Sequence, residues 1–254
     1  MRLSIVILTC NQSAYTLRCL ASLTPYMQAH GDAEVVLVDN GSTDGTAAAI
    51  AAERYSWCSR LRMIRLGSNR GVAAGRNVGL QESDGEVLMI LDNDTIVTAE
   101  AIDALVGYVT DHRDVGIAAP RLLSPAGEVQ DSAKPFPGLS IKLRNVLGLR
   151  ARTASTPPSA ANAADPYYVI GACQVMRREV MQRVGLLDEH IFYGPEDADY
   201  CARVRAAGFA IRYLPHITIV HDWQRATTRR VLSPLGRRHI AALLYFYRKH
   251  RRLF

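Results

Sequence analysis

Short apolar runs alternate along the first half of the chain with segments whose apolar positions recur at helical spacing. The apolar runs predict strands at Leu3–Leu8, Glu34–Val38, Leu61–Leu66, Val87–Leu91 and Val115–Ala119. The intervening segments predict helices at Ala14–Gln28, at Thr46–Tyr55, after the glycine-rich loop through Gln81, and at Thr98–His112. Ser13 is the predicted N-cap of the first helix.

This alternation predicts the fold class. Continuous apolar strands separated by helices are typical of a mainly parallel sheet with helices on both faces, a doubly wound α/β architecture. Ligands of such sheets bind beyond the carboxyl ends of the strands. Four polar segments follow predicted strand ends and are expected to converge on one crevice: Asn11, Asp39, residues 69–77 and residues 92–94.

The second half of the chain is less regular. It predicts a hairpin around residues 125–127, a Pro- and Ala-rich loop at 150–166 and strand character at 167–177. A helix follows at Glu196–Ala207, then strands at Ala210–Tyr213 and Ile217–Val220, and a last amphipathic helix at Pro234–His250. We interpret residues 1–254 as a single domain, which divides into residues 1–120, residues 121–225 and a basic C-terminal helix at 226–254.

Composition argues against several classes of protein, namely zinc-binding, disulfide-rich and membrane-spanning ones. The 254 residues are 48% hydrophobic and carry a net charge of +6, and the basic excess is concentrated after Arg225. Five cysteines without a C-x-x-C pair indicate neither a zinc site nor a disulfide framework. We find neither a signal-peptide pattern nor an apolar stretch long enough to cross a bilayer, so a cytoplasmic location is predicted.

Two aspartates at the end of the fourth strand are the first candidate site. Asp92 and Asp94 could present carboxylates to a divalent cation, a hard ion that prefers oxygen ligands. The alternative is an Asp-rich turn in which these side chains bind only local backbone. Asp39 allows a similar choice between a ligand of ribose or base and simple turn chemistry. The chain has no P-loop motif, and no G-x-G-x-x-G follows its first strand.

These motifs together resemble the inverting family 2 glycosyltransferases of the GT-A fold, and especially their rhamnosyltransferase-like branch. The resemblance is carried, in the order of the chain, by residues 4–11 (SIVILTCN), 38–46 (VDNGSTDGT), 69–79 (NRGVAAGRNVG), 91–94 (LDND), 194–199 (GPEDAD) and 220–221 (VH). Each motif is short, but their combination and order are specific.

The resemblance implies a nucleotide-sugar half at 1–120, an acceptor-side half at 121–225 and roles for individual residues. Those expected beside the nucleotide-sugar are Thr9, Asn11, Asp39, Asn69, Gly71, Arg76, Asp92 and Asn93. Asp94 is expected to bind the metal, usually Mn²⁺ or Mg²⁺ in this family, together with Asp92 and His221. Asp197 is expected to be the general base, with Glu196 binding sugar hydroxyls. The alternative for Glu196 and Asp197 is helix capping, because acids favour helix N-termini.

The expected activity is transfer of a sugar from a nucleotide diphosphate donor, dTDP-rhamnose or a UDP-sugar, to an acceptor hydroxyl. The acceptor would be a saccharide or lipid-linked saccharide of cell-surface polysaccharide or glycolipid synthesis. The basic C-terminus could contact the inner face of the cytoplasmic membrane. Two alternatives are a nucleotidyltransferase and a non-catalytic basic module that binds nucleic acid or membrane, but nucleic-acid binding is not expected without interleaved aromatic motifs.

Overall fold

A computed structural model describes residues 2–53, 55–136, 163–223 and 233–250 of the chain. Its strands are β1 Leu3–Thr9, β2 Glu34–Asp39, β3 Leu61–Arg65, β4 Val87–Asp92, β5 Thr95–Ile96, β6 Val115–Leu123, β7 Ala133–Lys134, β8 Tyr168–Val169, β9 Cys173–Arg177 and β10 Ala210–His221. Its helices are α1 Ser13–Ser22, α2 Thr24–Ala29, α3 Thr46–Ala52, α4 Val72–Gln81, α5 Ala99–Asp111, α6 Arg178–Val184, α7 Glu196–Ala206 and α8 Pro234–His250.

Eight strands form one mainly parallel sheet in the order β3-β2-β1-β4-β9-β6-β10-β5. Strands β3, β2, β1 and β4 pair in parallel, as do β6 and β10. Strand β9 runs antiparallel to β4 and β6, and β5 runs antiparallel to β10. The predicted mainly parallel α/β class is confirmed, and the carboxyl ends of its parallel strands share one edge. The ligand-binding role of this edge stays a prediction.

Side-chain alternation along the strands divides the core between the two faces of the sheet. Ile5 and Ile7 pack with α1, α2, α3 and α5, whereas Val6 between them packs with α4, α6, α7 and α8. Phe246 and Tyr247 of α8 are buried on this second face. Both faces are therefore covered by helices, which is why the central strands read as continuous apolar runs.

The predicted helix Ala14–Gln28 is wrong as a single element. The chain forms α1 and α2 with a break at Leu23, just before Pro25. Proline has no backbone N–H and therefore cannot continue the hydrogen bonding of α1. Ser13 is also not the N-cap, because that position belongs to Gln12 and Ser13 begins the helix.

The end of the chain is more continuous than predicted. The two strands expected around Tyr213 and Ile217 are one strand, β10, whose register shifts between Leu214 and Thr218, next to Pro215.

The hairpin after β6 is confirmed, since Leu123 pairs with Val129. The expected strand at 167–177 is divided into β8 and β9.

Several sequence predictions fall outside the described residues. They include most of the loop at 150–166 and the basic residues Arg225, Arg229, Arg230, Arg251 and Arg252. Within the described ranges, no helix combines the length and apolar character that crossing a bilayer requires.

Candidate active site

A buried arginine links the two acidic clusters at the carboxyl edge of the sheet. Arg76, on the first turns of α4, donates from Nη2 to Asp92 Oδ1 and to the carbonyl oxygen of Gly171. Its Nη1 lies 3.5 Å from Glu196 Oε1 at the start of α7. The side chains of Arg76 and Glu196 are almost completely buried. The strand-end acids and the helix N-terminus therefore border one site.

Asp92, Asp94 and His221 form the acidic cluster beyond β4. One ligand atom from each of the three lies within 4.8 Å of the others. His221 ends β10, and its Nε2 is 3.4 Å from Asp94 Oδ1. Two carboxylates and an imidazole make a donor set that suits a divalent cation such as Mn²⁺. The structure thus brings together the three residues expected to bind metal.

The charges in this cluster shift its protonation equilibria. Burial raises the pKa of Asp92, which the charge of Arg76 opposes and that of Asp94 reinforces. Burial alone would lower the pKa of His221, but the hydrogen bond and charge of Asp94, with the charge of Asp92, raise it. Carboxylates held this close favour a cation between them, because each raises the cost of ionising its neighbour.

Glu196 and Asp197 open α7 at the other side of Arg76. Glu196 Oε2 is buried without a hydrogen-bond partner among the described residues. Burial and the charge of Asp197 raise the pKa of Glu196 to about 7, against the opposing charge of Arg76. Asp197 is half-buried, and its Oδ1 accepts from the backbone N–H of Ala198. A buried, unsatisfied carboxyl oxygen is unusual in proteins and fits a position that a ligand hydroxyl completes.

Three of the expected nucleotide-site residues are engaged with protein groups. The Thr9 and Thr16 hydroxyls share a 2.8 Å hydrogen bond, and Asn93 Nδ2 donates to both. Asn11 has a left-handed backbone, with φ of 55°, and its Oδ1 accepts from Thr43 N–H. These side chains join the end of β1 to neighbouring segments. They therefore shape the crevice by holding those segments in place.

The side chains of Asp39 and Asn69 each hold the backbone of the loop that follows them. Asp39 accepts from the Ser42 N–H, and Asn69 accepts from the N–H of Gly71. Beside Asp39 a cavity of about 330 Å³ opens between β3 and α3. Its lining is Ser42, Thr43, Gly45, Ala47, Ala48, Ala51, Met63 and Arg65.

Gly71 occupies a position that no other residue could fill without movement. Its φ is 91°, and a Cβ there would lie 2.7 Å from the carbonyl oxygen of Phe192. This contact brings the glycine-rich loop against the segment that leads to Glu196. The glycine therefore joins the carboxyl edge of the sheet to the segment that precedes α7 by close backbone approach.

Two amide side chains in the site were missed by sequence reasoning. Asn40 Nδ2 donates to Asn69 Oδ1 and to Gly71 O, and its Oδ1 accepts from Arg70 N–H. Gln130, in the hairpin after β6, contacts both the ring and the carbonyl oxygen of His221. Asn40 adjoins Asp39 in a recognisable motif, whereas nothing in the sequence around Gln130 indicates its partner 91 positions later.

The C-terminal helix is attached to α7 through a buried aspartate. Asp199 has no exposed side-chain surface and contacts Lys249 at 2.7 Å and His250 at 2.8 Å. Near its start, α8 places His239 Nδ1 3.2 Å from the carbonyl oxygen of Tyr193 and Arg238 over the ring of Phe192. The helix therefore borders the segment that precedes Glu196.

Curated relatives of the chain are sugar transferases. N-acetylglucosaminyl-diphospho-decaprenol L-rhamnosyltransferase of Mycobacterium tuberculosis is 29% identical over 98% of this chain and 85% of its own length. The dTDP-rhamnosyl transferase RfbF of Shigella flexneri is 27% identical over 74% of this chain and 59% of its own. The low-salt glycan biosynthesis hexosyltransferase Agl10 of Haloferax volcanii is 26% identical over 80% of this chain.

Solved structures share the fold at lower identity. A mannosyltransferase from Pyrobaculum calidifontis in complex with GDP-Man and Mn²⁺ has a TM-score of 0.66 at 19% identity, and this chain covers 64% of it. GalNAc-T7 with UDP, GalNAc and Mn²⁺ has a TM-score of 0.73 at 18% identity, with 50% of it covered. Residues 4–185 match the family described as Glycosyl transferase family 2. The strand-end acids, the glycine-rich loop and this match agree, and the chain belongs to the family 2 glycosyltransferases.

Proposed function

We propose that this glycosyltransferase moves a deoxysugar or hexose from a nucleotide diphosphate donor, with dTDP-rhamnose as the first candidate and UDP-sugars as the second. The observation that carries the proposal is the buried Arg76, which holds Asp92 and Glu196 on opposite sides of one guanidinium. Donor-side and acceptor-side acids therefore flank a single space. Relatives named as rhamnosyltransferases support the choice of donor.

The residues that would hold a metal are Asp92, Asp94 and His221. A divalent cation at this position supplies positive charge that stabilises the departing nucleoside diphosphate. Mn²⁺ and Mg²⁺ both accept carboxylate ligands, and the imidazole of His221 favours Mn²⁺. Asp94 is the principal ligand in this proposal, since its Oδ1 faces His221 Nε2.

Asp197 is proposed as the general base. An acceptor hydroxyl is a weak nucleophile, and a positioned carboxylate that takes its proton accelerates attack on the anomeric carbon. A single displacement of this kind inverts the anomeric configuration. The adjacent Glu196 has a buried oxygen without a partner among the described residues, which suits a hydrogen bond to a sugar hydroxyl.

Asp39 and the cavity beside it are proposed to hold the nucleoside of the donor. Asp39 is buried at the end of β2, and Arg65 approaches its Oδ2 at 3.7 Å on the cavity side. Asn69 and Gly71 then border the path from the nucleoside to Arg76. Thr9, Asn11 and Asn93 contribute by holding the strand-end loops in place.

The acceptor is proposed to be a lipid-linked saccharide, in line with a relative whose name specifies a diphospho-decaprenol acceptor. Helix α8 would lie against the cytoplasmic face of the membrane that carries it. Ile240 and Leu244 are 43% and 66% exposed on this helix. Arg237 and Arg248 are exposed at either end of the same stripe, which complements an anionic lipid surface.

Transfer by the full-length protein tests the catalytic assignment. With dTDP-rhamnose, Mn²⁺ and a lipid-diphosphate-linked sugar, Asp94→Ala and Asp197→Asn should each lower kcat by about 10²- to 10⁴-fold. Asp94→Ala should also weaken Mn²⁺ binding, whereas Asp197→Asn should leave it unchanged.

Asp84→Asn is a matched control, because Asp84 lies at the opposite edge of the sheet and is largely exposed. Near wild-type transfer by Asp94→Ala would contradict the metal assignment. Transfer from UDP-sugars but not from dTDP-rhamnose would replace the donor while leaving the reaction class intact.

Vesicle sedimentation tests the membrane proposal. The protein should bind vesicles of phosphatidylglycerol and phosphatidylcholine at low salt, and Leu244→Glu should reduce the bound fraction several-fold. Val129→Glu changes an equally apolar exposed position, away from α8, and should bind as the wild type does. Equal sedimentation of the two variants would remove α8 as the contact surface.

A further inference from the structure

The side chain of Gln130 makes two hydrogen bonds to the same residue, His221. Its Nε2 donates to the carbonyl oxygen of His221 at 2.7 Å, and its Oε1 lies 2.7 Å from the ring Nδ1. A carbonyl oxygen can only accept, so the amide nitrogen of Gln130 must face it. This fixes the orientation of the amide and leaves its oxygen toward the imidazole.

The orientation of the amide determines the tautomer of His221. Because Gln130 Oε1 can only accept, Nδ1 must carry the hydrogen. In the neutral ring the lone pair is then on Nε2, the nitrogen that faces Asp94 Oδ1 at 3.4 Å. At this distance Nε2 and Asp94 Oδ1 can be bridged either by a proton on Nε2 or by a metal ion that takes the Nε2 lone pair. The Gln130 amide thus selects the form of His221 that can bind a metal.

The backbone explains how Gln130 reaches this position. His221 is the last residue of β10, which runs parallel to β6, with Val220 opposite Leu123. The hairpin that follows β6 turns back on itself, and Gln130 N–H bonds to the carbonyl oxygen of Leu122. Gln130 therefore arrives beside the end of β10 from a hairpin fixed by backbone hydrogen bonds.

The structure assigns Gln130 to the metal site as the positioning residue that fixes the Nδ1–H tautomer and the ring plane of His221. This assignment rests on the proposed metal site, and it adds a second layer of contacts around the ligands. Groups that orient a metal-binding histidine in this way typically change metal affinity by about 10- to 100-fold when removed.

The first test needs no variant. In ¹⁵N NMR spectra of the metal-free protein, at a pH well above the pKa of the ring, His221 should show a protonated Nδ1 and an unprotonated Nε2. Loss of the signals in His221→Gln identifies the ring. A protonated Nε2 in the wild-type protein would overturn the assignment.

The second test measures equilibrium Mn²⁺ affinity without donor or acceptor. Gln130→Leu, which keeps the side-chain size and removes both hydrogen bonds, should raise the Kd for Mn²⁺ by about 10-fold or more. Gln174→Leu is the matched control, since Gln174 is also a glutamine whose amide bonds a backbone carbonyl, that of Val169. It should lower the melting temperature and leave the Kd unchanged.

A third variant separates the two hydrogen bonds. Gln130→Glu keeps an acceptor for Nδ1–H but cannot donate to the His221 carbonyl, so its Kd should lie between those of the wild type and Gln130→Leu. A wild-type Kd in Gln130→Leu, or a Kd in Gln130→Glu no better than that of Gln130→Leu, would overturn the assignment. Neither measurement involves sugar transfer, so a failure of the proposed reaction would be seen separately.

Discussion

The two sides of the crevice are held together by different chemistry. On the donor side, amide and hydroxyl groups such as Asn40, Asn69 and Thr9 bond to one another and to loop backbone. Toward the acceptor side, charges join separate elements, as when Arg76 joins α4 and β4 of the donor half to α7, and Asp199 joins α7 to α8.

The difference has a physical consequence. Neutral hydrogen bonds between loops fix a shape that is insensitive to pH and to small changes in charge. Buried ion pairs cost solvation and are stable only while every partner is present. The donor side is therefore preorganised, whereas the acceptor side is a set of coupled charges that responds to ligands and to pH.

The largest expected effect in this comparison comes from Arg76→Met. Removing the guanidinium takes the compensating charge from the buried Glu196 and from Asp92, which is 32% exposed, so the free energy of unfolding should fall by about 3–5 kcal/mol. Urea denaturation measures this loss. Arg62→Met is the control, because Arg62 is 42% exposed and its buried partner Glu34 keeps a second cation, Arg2, so the loss should be at most about 1 kcal/mol. Equal losses of unfolding free energy in the two variants would contradict the expected difference between the Arg76 and Arg62 ion pairs.

A smaller loss is expected on the donor side. Asn40→Ala removes three hydrogen bonds from a buried amide and should cost about 1–3 kcal/mol in unfolding free energy. The glycine-rich loop would then move, so the KM for the donor should rise more than kcat falls. Asn77→Ala in α4 also loses a buried amide, which bonds Leu187 and Glu189, and should leave the donor KM unchanged. A donor KM that rises equally in both variants would argue against a specific role of the Asn40 hydrogen bonds in holding the glycine-rich loop.

The smallest expected effect is a pH dependence of the free energy of unfolding, and it comes from Glu196 on the acceptor side. The pKa of Glu196 is about 7 in the folded protein, above its ordinary value, so the folded state holds an extra proton below that pH. Its contribution to stability is present at low pH and is lost as pH rises through about 7.

Thermal and urea unfolding of the wild type and Glu196→Gln at about pH 5.5 and about pH 8 measure this slope. The wild type should lose at least about 1 kcal/mol more than the variant over this interval, which corresponds to one pKa unit. An equal change in unfolding free energy with pH in the two proteins would show that Glu196 titrates as an exposed acid does.

Much of the donor side could be predicted from the sequence. Apolar runs placed β1, β2 and β4, and the polar residues after them converge because parallel strands end at one edge. The glycine-rich segment was informative because Gly71 needs a left-handed backbone against Phe192. These features are local along the chain, so the sequence pattern contains them.

Features that depend on distant partners were not predicted. The break at Leu23 is an exception, because it follows from the nearby Pro25, a local signal that periodicity alone overlooked. The central position of β9 between β4 and β6 is set by tertiary pairing. Contacts such as Gln130 with His221 and Arg76 with Glu196 join residues 91 and 120 positions apart, and a single sequence holds no pattern for them.

The family match ends at residue 185, yet Glu196, Asp197 and His221 all lie beyond it. A chain that stopped there would lose the proposed proton acceptor, the proposed histidine ligand and β10, which lies between β6 and β5 in the sheet. It would also lose α8, whose Phe246 and Tyr247 are buried on the second face. The segment beyond the family match therefore completes the sheet, its second face and the proposed site, and a fragment without it should not fold.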